Sequence, residues 1–409
     1  MDLIEAGPAG HRPVRQRITH IDSLRGLALM GVIVMNIGSM VMMFNARQVF
    51  AAAGGLDIGI AAADLLFMLG KARSCFAFLF GAGFAILLMR AEARGADFRS
   101  FYMRRLGVLL LFGLVNQIFL FWGDILATYA LLGFLLMLCA RWSDAALLKV
   151  GLVLAVAPPL IQGLVEVVLG HPIPDLMELT AADRAAHGLA AYTSASYLDA
   201  VRENIWLGAT RRATATAHAL VYDLSIFGLF LLGSWSVRTG VLTDPASHRR
   251  LLRRIAWWCV PLGLTLSVIH MGPFLNIRPE GLGGAAVTAA FAGAPILAFG
   301  YLAALALLFS HGATWLQAIL APAGRMALTN YLASGAIGGW VFYGYGLGRI
   351  DDFGIAGLTG FGLGLFLALA LASRLWLSAF PYGPVEWLWR RLSYGVAKGA
   401  AHAVPSTVA

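Results

Sequence analysis

Charge is scarce in this sequence: Asp, Glu, Lys and Arg make up 12% of its 409 residues, about half the ~25% of an ordinary soluble domain. With 59% hydrophobic residues and a mean hydropathy of +0.77, too little polar surface is left to cover a soluble globule. Cysteine is nearly absent as well. The three present, Cys75, Cys139 and Cys259, stand singly in apolar runs without metal-ligand spacing, so they read as packing residues. No Walker loop, nucleophile elbow or paired metal-ligand motif occurs, and no metal is expected. Gly-x-Gly patterns such as Gly281 to Gly284 follow no strand, which argues against a nucleotide fold. Among 47 glycines such matches arise by chance, and their ordinary role is close helix packing.

Long apolar runs are what the sequence does have. A spanning helix needs roughly 20 mainly apolar residues, and after Arg25 no charge appears before Phe44. That run exceeds the roughly 7 to 15 residues of a signal-peptide core and is followed by many others, so it is read as the first of several spans. The segments are 23–44, 58–89, 106–122, 125–140, 147–169, 218–237, 255–271, 284–309, 326–345 and 355–379. Each becomes a helix because lipid offers no partner for an exposed backbone N–H or C=O; membrane strands would appear as alternating segments of about ten residues. The expected fold is all-α, a polytopic bundle of about ten transmembrane helices forming one domain over residues 1–409.

The net charge of +9 orients that bundle and does not point to nucleic acid. With the N-terminus inside, the connections on its side carry 21 Lys and Arg and the opposite side 7, so both termini are expected in the cytoplasm. Lys71 and Arg73 fall within a span. The 58–89 segment is too long for one crossing, since 32 residues run about 48 Å against a core near 30 Å. Ile58 to Leu69 is therefore expected to be tilted, broken or re-entrant, with Gly70 as the break. Residues 170–217 form the one long outer stretch. There Tyr197, Val201 and Ile205 make an apolar stripe on a short amphipathic helix, either a packing helix or a lid, lying on the bundle or the membrane surface.

Ionisable groups inside lipid are costly and mark functional sites by default. Asp22 and Arg25 are one turn apart, and Arg25 and Asn36, about three turns apart, return to one face that could bind an anionic group; the plain alternative is an interfacial ion pair. Lys71 and Arg73 call for a ligand or a buried carboxylate, or else end a half-helix. Asn116 and Gln117 share a polar stripe with Asp124, which either caps the next helix or orients a basic group. Arg325 and Thr329, then Asn330, Tyr331 and Ser334, open the ninth span, and Arg325 could join Arg25 in holding phosphate. Of nine histidines, His218 and His270 lie at outer span ends and His20 at an inner one. His218, followed by Asp223, and His270 are the candidate bases, although a histidine at a helix end is usually structural.

Ile21-Asp22-Ser23-Leu24-Arg25-Gly26, Gly70-Lys71, Gly123-Asp124-Ile125-Leu126 with Tyr129, Gly324-Arg325 through Tyr331, Phe342-Tyr343-Gly344 and Gly383-Pro384-Val385-Glu386-Trp387-Leu388-Trp389-Arg390 resemble the YeiB-like family of bacterial membrane proteins, over nearly the whole chain. Asp22-x-Leu24-Arg25-Gly26 also looks like the first helix of the transmembrane acyltransferase superfamily. That resemblance implies an acyl-CoA donor, acetyl-CoA among the candidates, drawn from the cytoplasm, and a small-molecule, glycan or lipid acceptor hydroxyl or amine at the outer face. Asp22, Arg25 and Arg325 would then hold the CoA phosphates. Lys71, Arg73, Asn36 and Asn116 would line the cavity, with Asp124, Asn330 and Tyr331 as further substrate contacts, and His218 or His270 would activate the acceptor. No histidine follows Arg25 until His171, so the resemblance leaves the base open. The rival expectation is a transporter or lipid-handling protein without covalent chemistry. Membrane lipids are the expected surroundings, the bacterial inner membrane the expected location, and the oligomeric state is open.

Overall fold

The computed structural model describes residues 19–95, 97–171, 188–213, 217–272 and 282–394, with the side chains of 44–48, 211–213, 217, 218 and 394 left aside. Every regular element among them is helical. In chain order these are α1 (Thr19–Ala51), α2 (Gly55–Phe67), α3 (Lys71–Glu92), α4 (Phe98–Val115) continued by a π-helical turn (Asn116–Leu120), α5 (Leu126–Leu138), α6 (Asp144–Leu169), α7 (Leu189–Thr193) and α8 (Tyr197–Ala213). They are followed by α9 (Ala217–Arg238), α10 (Arg249–His270), α11 (Leu282–Ala289), α12 (Gly293–Ser310), α13 (Thr314–Arg325), α14 (Ala327–Phe342), α15 (Ile355–Ala379) and α16 (Pro384–Tyr394).

Eight stretches among the described residues are long and apolar enough to cross a membrane: Thr19–Met43, Gly55–Glu92, Phe98–Leu120, Asp144–Leu169, Ala219–Arg238, Arg249–His270, Leu282–Ser310 and Ile355–Ala379. The chain is thus a multi-pass membrane protein. Two of the ten expected spans come out shorter. The segments 125–140 and 326–345 become α5 and α14, 13 and 16 residues long, or about 20 and 24 Å, less than the roughly 30 Å hydrocarbon core. Side-chain caps and breaks at their ends set those lengths. The connection expected over 310–325 is itself mostly helix, α13.

The 58–89 segment breaks where expected. Gly70 has φ +77°, a conformation that costs a glycine little, and separates α2 from α3. Near this break Ala72 packs against Gly31, midway along the apolar window of α1. The free half-helix α2 is moored to α15: the Asp57 carboxylate accepts the Ala356 amide at 2.8 Å and Asp64 accepts the Thr359 hydroxyl at 2.5 Å.

Contacts between the long helices rest on glycine. A side chain at Gly81 would run into the backbone of Phe230, and one at Gly233 into that of Phe78, so α3 and α9 touch backbone to backbone. Gly26 and Gly324 bring α1 and α13 together in the same manner. Such small-residue seams are how helices associate in lipid, where no hydrophobic drive acts between them.

The outer stretch carries a helix where one was expected. The α8 helix forms, but its inward face is Ala200, Val201, Asn204 and Leu207, while Tyr197 and Ile205 of the expected stripe are exposed. The π-helical turn decides this. Its register leaves carbonyls without ladder partners, and α8 supplies them: Asn204 donates to Ile118 O at 3.1 Å and Tyr197 Oη to Phe119 O at 2.6 Å. Much of the rest of the 170–217 stretch (172–187 and 214–216) lies outside the described residues.

Gly81→Leu is expected to force α3 and α9 apart and destabilise the protein by about 1–3 kcal/mol, read as a lowered melting temperature in detergent. Gly38→Ala, where an added methyl meets nothing within 4 Å, should leave the melting temperature unchanged.

Candidate functional site

The Asp22–Arg25 turn of α1, the wall of α3 from Phe76 to Arg90, the start of α4, the start of α5, the junction of α13 with α14, and α16 enclose a cavity of about 350 Å³. Along α3 it extends over fifteen residues, about 21 Å. Charge sits at one end. Arg25, Arg90, Arg105 and Arg325 line it together with only two carboxylates, Asp22 and Glu386, so the lining carries a surplus of two positive charges. Farther along α3 and α5 the wall is Phe76, Phe80, Leu126 and Tyr129, joined by Tyr331 of α14.

Each charged group is held from a different element. Arg25 donates to Asp22 at 3.0 Å with side-chain exposures of 27% and 13%, a partly wetted pair of modest strength that chiefly aims the guanidinium. Arg325 Nη2 reaches the Pro381 carbonyl at 3.4 Å. Arg105 stacks 3.5 Å over the Trp389 ring, and the Trp389 indole N–H donates to the Arg105 carbonyl at 2.9 Å, which fixes α16 against α4. The Glu386 carboxylate accepts the Leu328 and Thr329 amides at 2.8 and 3.0 Å and the Thr329 hydroxyl at 2.5 Å. It thereby serves the first-turn donors of α14 that have no ladder partner. Burial nevertheless pushes its carboxyl above the usual glutamate range, against those hydrogen bonds.

Of the residues singled out in the sequence, Asp22, Arg25, Arg325 and Tyr331 line this cavity. Asn116 and Asp124 do not: Asn116 donates to Asp124 at 2.8 Å and Asp124 accepts the Ala127 amide at 2.8 Å, so the pair starts α5. Asn330 is spent between helices, donating to Ser373 at 2.9 Å and to the Ala323 carbonyl at 3.3 Å. Asn36 lies on α1 away from the cavity lining. Lys71, 3% exposed, donates to the Leu65 carbonyl at 2.8 Å and ends the half-helix α2.

A second polar group forms beyond the aromatic end of the cavity. The Arg73 guanidinium lies 3.4 Å over the Tyr222 ring and 5.9 Å from that of Phe291, against which the His270 ring packs at 5.3 Å. His270 Nδ1 is 3.0 Å from the Val287 carbonyl. A carbonyl only accepts, so in this contact Nδ1 is the donor. Asp223 lies on α9 next to Tyr222, while the side chain of His218 lies outside the described residues. The expected single chamber is therefore two polar centres, joined where the Tyr129 hydroxyl donates to the Arg73 carbonyl at 3.2 Å.

Arg90, Arg105, Glu386, Trp389 and Tyr129 escaped selection as site residues. Arg90 and Arg105 counted only as orienting charges. The other three stood inside the quoted motifs, which is the one signal that could have raised them.

Residues 236–396 match the family described as "Protein of unknown function (DUF418)". The chain is 31% identical over 396 residues to the uncharacterized protein YxaH of Bacillus subtilis (strain 168), covering 93% of this chain and 94% of that protein. It is 30% identical over 411 residues to the uncharacterized protein YeiB of Escherichia coli (strain K12), covering 93% and 97%. The chain belongs to the YeiB-like family. A further YeiB-like relative is the 39.9 kDa protein of the amylase 3' region in Bacillus acidopullulyticus, 26% identical over 390 residues. Relatedness thus extends over 93% of the chain, well beyond residues 236–396.

The Glu386 cap carries a pH signature. Its carboxyl is raised in the folded state, so its contribution to stability is full below the ordinary value of 4.5 and is lost as pH rises through the folded value. Against Glu386→Gln, which keeps an acceptor but cannot ionise, the wild-type melting temperature should fall behind as pH increases from 4.5, and the difference should level off once the carboxyl is fully ionised.

Proposed function

We propose that the protein is a membrane-embedded acyltransferase-like enzyme of the bacterial inner membrane. In this reading an acyl-CoA donor, acetyl-CoA among the candidates, enters from the basic, cytoplasmic end. The observation that carries it is the polarity of the cavity, with four arginines at one end and an aromatic and aliphatic channel behind them. An anionic head on a narrow, mostly apolar arm fits that lining, and guanidiniums hold phosphate in bidentate fashion. A volume of about 350 Å³, at the small end of ligand sites, suits the arm and acyl group with the nucleotide at the mouth.

Arg25 and Arg325, with Arg90 and Arg105, would bind the phosphates, and Asp22 would orient Arg25. His270 would take the proton of an acceptor hydroxyl or amine on the far side of the Tyr129–Arg73 junction. The acceptor would be a small molecule, a glycan or a lipid.

A second reading has one observation in its favour. Besides the break at Gly70, α13 and α14 meet in another at Met326, and paired broken helices around a central site are a mark of transporters. The same cavity would then bind an anionic lipid or metabolite and move it unchanged.

The deciding measurement uses purified protein in detergent with acetyl-CoA and longer acyl-CoAs. The enzyme reading expects a thermal shift, weakened about tenfold or more in Kd by Arg25→Gln or Arg325→Gln, and release of free CoA thiol when membrane extract is added. Binding without thiol release favours the transporter, and no binding of any acyl-CoA removes the donor reading.

A further inference from the structure

Two phenol hydroxyls mark the deep end of the cavity, and both are placed to serve a ligand. Tyr129 and Tyr331 line it and are 1% and 3% exposed. The Tyr129 ring is clamped between Phe80 and Phe230 at 5.4 and 5.2 Å, so its position is fixed while its hydroxyl can turn. That hydroxyl donates to the Arg73 carbonyl at 3.2 Å. Because α3 runs on from Lys71 to Glu92, the same carbonyl also accepts the amide four residues ahead in the helix ladder. It is not orphaned if Tyr129 turns away.

The Tyr331 hydroxyl is in the complementary state. It accepts the Ile125 amide at 3.3 Å, and among the described residues no acceptor takes its own proton. A hydroxyl with a filled acceptor position and an idle proton in a buried wall is a donor awaiting a partner. Ile125 and Tyr129 are one turn apart at the start of α5, so Tyr129 is rooted on the same stretch of backbone that holds the Tyr331 hydroxyl through the Ile125 amide. An alkyl chain or a second cation would leave these two protons unused; a carbonyl oxygen, with two lone pairs, takes both.

We propose that Tyr129 and Tyr331 together grip the carbonyl oxygen of the acyl group at the deep end of the cavity. The inference rests on the donor-site reading above and specifies the chemistry of that site: a thioester carbonyl held by two O–H donors. When an acceptor hydroxyl oxygen bonds to the carbonyl carbon, the π electrons move onto the carbonyl oxygen, where the two phenols stabilise the charge without giving up their protons. The carbon–sulfur bond then breaks, its electrons leave with sulfur, and the proton lost by the acceptor ends on the thiol. The products are the acyl ester and free CoA. Donors placed for an oxyanion in this way typically contribute 10²–10³ in rate.

The test needs no known acceptor. Full-length wild type, Tyr129→Phe, Tyr331→Phe and the double variant are purified in detergent. Binding of CoA and of acetyl-CoA is measured by thermal shift, and the thioester C=O band of bound, carbonyl-labelled acetyl-CoA by difference infrared spectroscopy. Wild type should prefer acetyl-CoA over CoA and move the band to lower frequency. Each single variant should lose about fivefold of that preference and part of the band shift, and the double variant all of both, with CoA affinity unchanged. An unaltered band and preference in the variants, or equal loss of CoA and acetyl-CoA binding with a lowered melting temperature, overturns the proposal and leaves the donor site standing. Wild type that binds neither ligand overturns the donor site itself and the tyrosine grip with it.

Discussion

In lipid a backbone amide or carbonyl that leaves its helix ladder has no water to turn to. This protein interrupts its helices repeatedly, and at several of the interruptions a side chain serves the freed group. Lys71 closes the last turn of α2 on the Leu65 carbonyl. Asp124 takes the Ala127 amide at the start of α5, Glu386 takes two amides and a hydroxyl at the start of α14, and Asn204 and Tyr197 take the carbonyls of the π-helical turn. The charges that look out of place in an apolar sequence are largely the consequence of those interruptions.

The interruptions in turn make the cavity. An unbroken bundle would close into apolar packing like the Gly81 and Gly233 seam between α3 and α9. Where α13 stops at Arg325 and α14 restarts, and where α5 begins only after the loop held by Asp124, the helices cannot fill the space between α1, α3 and α4. The amphipathic α16 covers what remains through Trp389 and Glu386. Arg25, Arg90, Arg105 and Arg325 face this space, so residues that count toward the expected orientation also give the cavity an anion-attracting mouth.

Much of the fold was legible because periodicity and length report directly on burial in lipid. The break at Gly70 was visible in the excess length of one run. The short α5 and α14 were not, because the apolar runs 125–140 and 326–345 do not reveal that their ladders stop at Leu138 and Phe342. On α8, polar Asn204 lies beside Val201 on the inward side, bonded to the carbonyl of Ile118, a pairing that the apolar stripe of Tyr197, Val201 and Ile205 does not reveal. Of the candidate site, Asp22, Arg25, Arg325 and Tyr331 do converge, whereas Asn116, Asp124 and Asn330 bond to other parts of the bundle. Spacing places polar residues on a helix face; it does not say which face meets which.

The sequence by itself determined that the chain crosses a membrane many times as helices, because its scarcity of charge leaves no other solvent for it, and its arginine distribution carried the expected orientation. Only the tertiary structure decided that Arg90, Arg105 and Glu386, hundreds of residues apart at the extreme, share one cavity with Arg25 and Arg325, and that Lys71, Arg73 and His270 do not. That division depends on how glycine seams and helix ends set neighbouring helices against one another, a choice made by packing between distant segments.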